Sequence, residues 1–481
     1  MYNKRIEITA SNELNELNVI YYIRSVFMRR LSFILALMVI VFNFTALFAA
    51  EEAGNLNVKS TLRHMLLDIS KLERGELSDF KTDKNMVWWC ELDNDFFISY
   101  QAGSRPRIPA QAAVKNEILT ESKMSEPMLA IKRGLDSPLD EFSADINIIY
   151  ETGPYVIFQA PHDILNKISK KESNHFKLES LKQNIRVAVN SRYLDIPEVK
   201  NADTVSVNLK RMTGYIKTFE NFKTRYSYSQ GYLDAANFAI GEFKKMGFDA
   251  NLVEYLDGGK KQYNVVAQKK APAAGGVNDN DGKFYVVGGH LDSMSPNPSI
   301  EAPGADDNAS GSAGAMEVAN IISKYPFAHK VRFVLFAGEE LGLRGSKAYV
   351  SQLKASGEIT KVLGMVNLDM IGFDRVPPIS SLWQTRQTFD PFVSNFLAVA
   401  KQAAKLKITM SYNVWGSDHV SFINAGVPAF LFIEDEYGAN PNYHKITDRL
   451  EFINPEMLEE FVRITAQGLV NILSAETQPQ K

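Results

Sequence analysis

The chain has 481 residues, too many for one typical core, so two domains and a short extra segment are expected. Its 45% hydrophobic and 23% charged residues are ordinary for a globular protein, and a formal net charge of -3 argues against a nucleic-acid or anionic-membrane partner. The single cysteine, Cys90, excludes an intrachain disulfide and a cysteine-based zinc site, so any metal must be held by His, Asp and Glu.

Residues 1–50 read as an N-terminal extension and signal peptide. Met28-Arg29-Arg30 is basic, and Leu31 to Phe42 is apolar but shorter than the ~20 residues a membrane span needs. Small residues up to Ala50 suit cleavage there. A secreted or periplasmic location is expected, with no stable membrane partner after cleavage; an uncleaved anchor is the alternative.

Residues 51–200 read as a smaller α+β accessory domain or pro-domain. Leu62 to Leu72 predicts a helix, and Trp88-Trp89-Cys90 and Phe96 to Tyr100 predict strands. Ile146 to Tyr150, a turn at Glu151-Thr152-Gly153-Pro154, and Tyr155 to Gln159 form a hairpin pattern. Ile164 to Lys171 follows as a helix and Ile185 to Val189 as a strand. Arg105 to Lys123 and Gly134 to Ser143 read as loops. His64, His162 and His175 lie apart, without carboxylates at ligand spacing, and read as surface or structural histidines.

The polar stretch Asn190 to Asp203 reads as a linker. Residues 201–481 then alternate strands and helices, the pattern of a mostly parallel, doubly wound α/β sheet. The predicted helices are Tyr226–Lys245, Ala309–Ser323, Ser346–Leu353, Pro391–Leu406 and Pro455–Leu473. The predicted strands are Ala250–Tyr255, Tyr263–Gln268, Lys283–Val287, Val331–Ala337, Val362–Leu368 and Ala429–Ile433. Ala271 to Asp281 must be a surface turn.

Potential ligands recur at the ends of these strands. His290 follows one strand and is followed by Asp292, a candidate to orient the imidazole. Glu339-Glu340 and Asp369 follow two more, and ligand sites in open α/β sheets gather at that edge. Adjacent glutamates repel unless a cation lies beside them. Asp306-Asp307-Asn308 opens a helix, where acidic residues are ordinary caps, although one carboxylate can cap while its neighbour points outward. His444 lies in a polar loop before the last helix. Together these residues form an N/O ligand set suited to zinc, and the number of carboxylates suggests two ions.

The stretch 205–475 resembles the co-catalytic zinc aminopeptidases of the secreted bacterial leucine aminopeptidase type. The resemblance lies in His290-x-Asp292, Gly304 to Gly311, Ala337-Gly338-Glu339-Glu340-x-Gly342-x-x-Gly345-Ser346, Asn367-x-Asp369-Met370, Gly416-Ser417-Asp418-His419-x-x-Phe422 and Tyr443-His444-x-x-x-Asp448, in the family's order. It implies two zinc ions bridged by Asp307, with His290 and Asp369 completing one site and Glu340 and His444 the other. Glu339 would be the general base, Asp292 the support of His290, Tyr443 a donor to the oxyanion and His419 part of the site's architecture. Some relatives carry a disulfide near Val414–His419; this chain has no cysteine there. The implied substrates are peptides with a free N-terminus. Competing readings are a single-zinc glutaminyl cyclase on the same fold and a catalytically inactive binding domain.

Overall fold

The computed structural model describes residues 62–476, apart from short gaps at 120–123, 135–136, 174, 195, 197–203, 271–281, 375–377, 404 and 436–438. The signal segment, the 271–281 turn and most of the 190–203 linker lie outside the described residues. The described residues fall in one compact unit.

In chain order the N-terminal part holds β1 (Leu62–Asp68), α1 (Arg74–Phe80), β2 (Met86–Asp93), β3 (Asp95–Gln101), β4 (Ala113–Leu119) and β5 (Met128–Lys132). The hairpin β6 (Asn147–Thr152) and β7 (Tyr155–Gln159), α2 (His162–Ser169), β8 (Phe176–Ser180) and β9 (Ile185–Asn190) follow. Then come α3 (Leu209–Asn221), α4 (Gln230–Lys245), β10 (Asp249–Asp257), β11 (Lys260–Gln268), β12 (Phe284–His290), α5 (Gly311–Ile322), β13 (Val331–Phe336) and α6 (Arg344–Ala355). β14 (Val362–Leu368), β15 (Ser380–Gln384), α7 (Asp390–Ala403), β16 (Lys407–Ser411), α8 (His419–Ile423), β17 (Ala429–Glu434) and α9 (Pro455–Glu476) complete the chain.

Thirteen strands form one mixed sheet in the order β10-β11-β13-β12-β14-β17-β15-β16-β9-β2-β3-β1-β4. Its centre, β13-β12-β14-β17, is parallel. These strands are buried on both faces, which is why they read as unbroken apolar runs. Tyr285 and Val287 of β12 enter one core with α3, α4, α5, α7 and α9, whereas Phe284 and Val286 enter a second core with α6 and α8. β16 pairs antiparallel with β9, so strands from residues 62–190 continue the sheet. A separate four-stranded sheet, β6-β7-β5-β8, comes from the same N-terminal part. Among the described residues no helix is long and apolar enough to cross a membrane.

Three expectations change. Leu62–Leu72 is not a helix: Leu62–Asp68 is strand β1, between β3 and β4. Met65 and Leu67 face one core and Leu66 another, so the run lacks the alternation that marks a one-sided strand. The expected loop Arg105–Lys123 contains β4, an edge strand whose residues are nearly all exposed and so carry no apolar pattern. The helix after Asp306-Asp307-Asn308 begins two residues late, at Gly311.

Candidate active site

The three parallel strands β12, β13 and β14 end side by side, which brings His290, Glu339-Glu340 and Asp369 to one edge. Asp307 reaches the same edge from the turn Ala305–Ser310, and that turn is held from several directions. Buried Arg225 donates to the carbonyls of Leu291 (2.8 Å), Pro303 (2.6 Å) and Gly304 (2.8 Å). The Asp448 carboxylate accepts the backbone N–H groups of Asp306 (2.8 Å) and Asp307 (3.0 Å). Asn308, rather than either aspartate, meets the helix: its Oδ1 accepts the N–H of Gly311 at 2.8 Å. Gly311 allows that helix to press on the end of β14, since a Cβ there would stand 2.2 Å from the Leu368 carbonyl oxygen.

The Asp307 carboxylate lies between two imidazoles. Its Oδ1 is 3.1 Å from His290 Nε2 and its Oδ2 is 3.2 Å from His444 Nε2. His290 Nε2 is also 3.2 Å from Asp369 Oδ1, and His444 Nε2 is 2.8 Å from Glu340 Oε2. Two donor sets therefore share one aspartate, each with a histidine and a further carboxylate. Glu340 Oε1 is buried without a hydrogen-bond partner, and both Asp307 oxygens and His444 Nε2 are buried with only one another, His290 and Glu340 Oε2 facing them, at poor hydrogen-bond geometry. Buried polar atoms are ordinarily paired. A converging set of such atoms, all of types that bind zinc, fits metal ions in this cluster.

The electrostatics agree. Burial pushes the Glu340 carboxyl up to about 7, partly offset by His444. Glu339 is pushed well up by burial, with the neighbouring Glu340 and Asp369 charges adding to the rise. Burial opposes charge on His444, but Glu340 and Asp307 outweigh it and lift the imidazole to about 10. Cations in the cluster would let both glutamates ionise and both histidines stay neutral.

The remaining predicted residues are close by. His290 Nδ1 is 3.0 Å from the Asp292 carbonyl oxygen and 3.6 Å from its carboxylate. That carboxylate accepts from Ser227 Oγ (2.9 Å) and from the Glu339 N–H (3.2 Å), so Asp292 joins the ends of β12 and β13. Ser417 Oγ donates to Asp369 Oδ2 at 2.7 Å and accepts from Asn367 Nδ2 at 2.7 Å. His419 is buried outside the cluster, with Nε2 3.1 Å from Gln384 Oε1. The Tyr443 ring stacks on His444 at 3.9 Å.

Two residues at the site carried no signal in the sequence, and both come from the four-stranded sheet. His175 is not a detached surface histidine: its Nδ1 is 2.7 Å from Tyr443 Oη and its ring meets His444 edge-on at 4.6 Å. Buried Arg133 places Nη1 3.7 Å from Asp369 Oδ2 and lies over the Trp415 ring. Neither belongs to a motif of the sequence. β5 and β8 pair antiparallel, and the Arg133 N–H donates to the His175 carbonyl at 3.0 Å, so the sheet delivers both together.

This geometry coincides with a match to known proteins. Residues 264–469 match peptidase family M28. A probable leucine aminopeptidase of the fungus Arthroderma otae is 27% identical over 259 residues, 52% of this chain and 69% of that one. Aminopeptidase YwaD of Bacillus subtilis is 32% identical over 186 residues, 37% of this chain and 40% of that one. LapB from Legionella pneumophila shares the fold, with a TM-score of 0.51 and 17% identity over 72% of this chain and 99% of that one. The similarity to this peptidase family thus falls on the segment that carries the cluster, and the similar proteins are named as aminopeptidases. Its relatives include fungal proteins, so the likeness extends beyond the bacterial type that the motifs suggested.

Proposed function

We propose that this M28 peptidase is an exported di-zinc aminopeptidase that releases N-terminal residues from peptides. The observation that carries the reading is the Asp307 carboxylate, with one oxygen 3.1 Å from His290 and the other 3.2 Å from His444. Asp307 would hold both ions, with Asp369 and His290 completing one donor set and Glu340 and His444 the other. When bound, the zinc ions supply Lewis-acid activation of the attacking water and of the scissile carbonyl. Glu339 removes the water's proton and returns one to the leaving amine. Tyr443 Oη donates to the developing oxyanion. Asp292 holds His290 and the Glu339 backbone in register. Glu340 faces the substrate's free α-amino group, which restricts cleavage to chain ends.

Export rests on residues 28–50 of the sequence. Residues 51–200 serve as an accessory domain that stays with the catalytic residues 201–481, a reading supported by the β9–β16 pairing. The test is zinc content and turnover of amino-acid anilides by the wild type and by Glu339→Gln. Two zinc ions per chain are expected in both, with turnover falling on the order of 10²–10⁴-fold in the variant. A single zinc with cyclisation of N-terminal glutamine would identify a glutaminyl cyclase instead. The intact mass of the same active preparation tests whether residues 51–200 are retained.

A further inference from the structure

His175 occupies a position that the family resemblance does not assign. Donor atoms of His175, Glu340 and His444 all lie within 4.8 Å of one another, as do those of His290, Asp307 and Glu340. His175 therefore belongs to the His444 side of the cluster. Its placement is firm. It directly precedes β8, whose Phe176 pairs with Lys132 of β5. Its N–H donates to Ser173 Oγ at 3.1 Å and its carbonyl accepts from Arg133. The adjoining Gly134 lies against the Tyr443 ring so closely that a Cβ would stand 2.6 Å from Cδ1.

We propose that His175 is a metal ligand, the fourth protein group on the ion held by Asp307, Glu340 and His444. The inference rests on the two-zinc reading above. Ligation through Nε2 requires a neutral ring with its proton on Nδ1. The Tyr443 oxygen, 2.7 Å away, accepts that proton, the kind of partner that fixes the tautomer of a metal-bound histidine. Four protein ligands close a zinc site, whereas a catalytic site keeps one position open. The His175-bound form is thus a resting state. A substrate's α-amino group, in its neutral form, would enter by displacing the imidazole, while the Tyr443 hydroxyl, an acceptor toward Nδ1, keeps its own proton to donate. The N-terminal sheet thereby acts inside the reaction centre, with His175 competing for the position that recognises the free N-terminus.

Zinc-edge X-ray absorption of the full-length, zinc-loaded enzyme tests this, because imidazole rings leave a distinct outer-shell signal. Wild type should show three histidines per two zinc ions, from His290, His444 and His175. His175→Ala and His175→Gln should show two, with zinc content unchanged. L-leucine, as a product probe followed by calorimetry, should bind both variants more tightly, by the reciprocal of the fraction of wild-type chains in which the position is open. Identical absorption spectra for wild type and both variants, at two zinc ions per chain, would overturn the proposal. Failure of the two-zinc reading appears differently, as a wild-type zinc content below two.

Discussion

Two buried glutamates, Glu91 and Glu340, belong to the same molecule and have opposite surroundings. Glu91, on β2 in the N-terminal part, is flanked by cations of the chain itself. Its Oε2 accepts from Lys81 Nζ at 2.7 Å and from Arg186 Nε at 3.2 Å. Glu340, at the end of β13, has Asp307 and Glu339 as neighbours, and its partner His444 also faces Asp307. The chain neutralises its buried carboxylate in the first region and leaves carboxylates in excess in the second. A buried charge is costly unless paired. The contrast therefore separates a structural ion-pair network from a site built for a cation supplied from outside. Burial alone separates nothing, since both glutamates are buried.

The largest effect should come from breaking the shared ligand. Asp307→Asn removes a charge from both donor sets. Zinc affinity and turnover should fall on the order of 10³-fold or more, beyond the ~10–100-fold that losing a ligand's supporting partner costs. Competition with a chelator and anilide hydrolysis read the two quantities. Wild-type zinc retention in this variant would remove Asp307 from the ligand set.

Glu91→Ala probes the other half of the contrast. It leaves Lys81 and Arg186 without their shared carboxylate, and stability should drop by about 3 kcal/mol in denaturant melts. Zinc content per folded chain should not change. A loss of zinc there would show that the two regions are coupled, and the comparison would have to be redrawn.

The smallest effect concerns His64 on β1, fully buried among Trp88 and Phe97. Burial holds its imidazole down at about 4, against 6.5 in the unfolded chain. The unfolded state takes up a proton below about 6.5 while the folded state does not. Its contribution to stability is therefore complete above that pH and is lost as pH falls toward about 4, amounting to about 2 kcal/mol by pH 5. His64→Phe should flatten this acid limb in melts at pH 7 and pH 5. An unchanged slope would mean that other groups carry it.

Much of the second region was legible in the chain because its chemistry sits next to its structure. His290, Glu339-Glu340 and Asp369 each directly follow an apolar strand, and neighbouring parallel strands align their ends. Local pattern marked Asp307 only as one of a pair, and it was the family resemblance that singled it out; the inward turn itself is set elsewhere in the chain. That depends on Asp448, 141 residues later, gripping both backbone N–H groups. The N-terminal part was less legible. β1 is covered on both faces and β4 on almost none, and either condition erases the two-residue alternation by which a strand is recognised.

The donor inventory is readable from the chain alone: no cysteine among the candidates, and histidines and carboxylates placed at strand ends by short-range pattern. Which donors meet is settled by the packing of remote elements. Asp307 comes to lie between His290 and His444, residues 154 positions apart, because a turn braced by Arg225 and Asp448 carries it there. His175 and Arg133 join them because β5 and β8 pair and their sheet ends against the catalytic edge. Periodicity reports which face of an element is buried, but contact between remote elements depends on how those faces dock, and no local stretch of sequence encodes that.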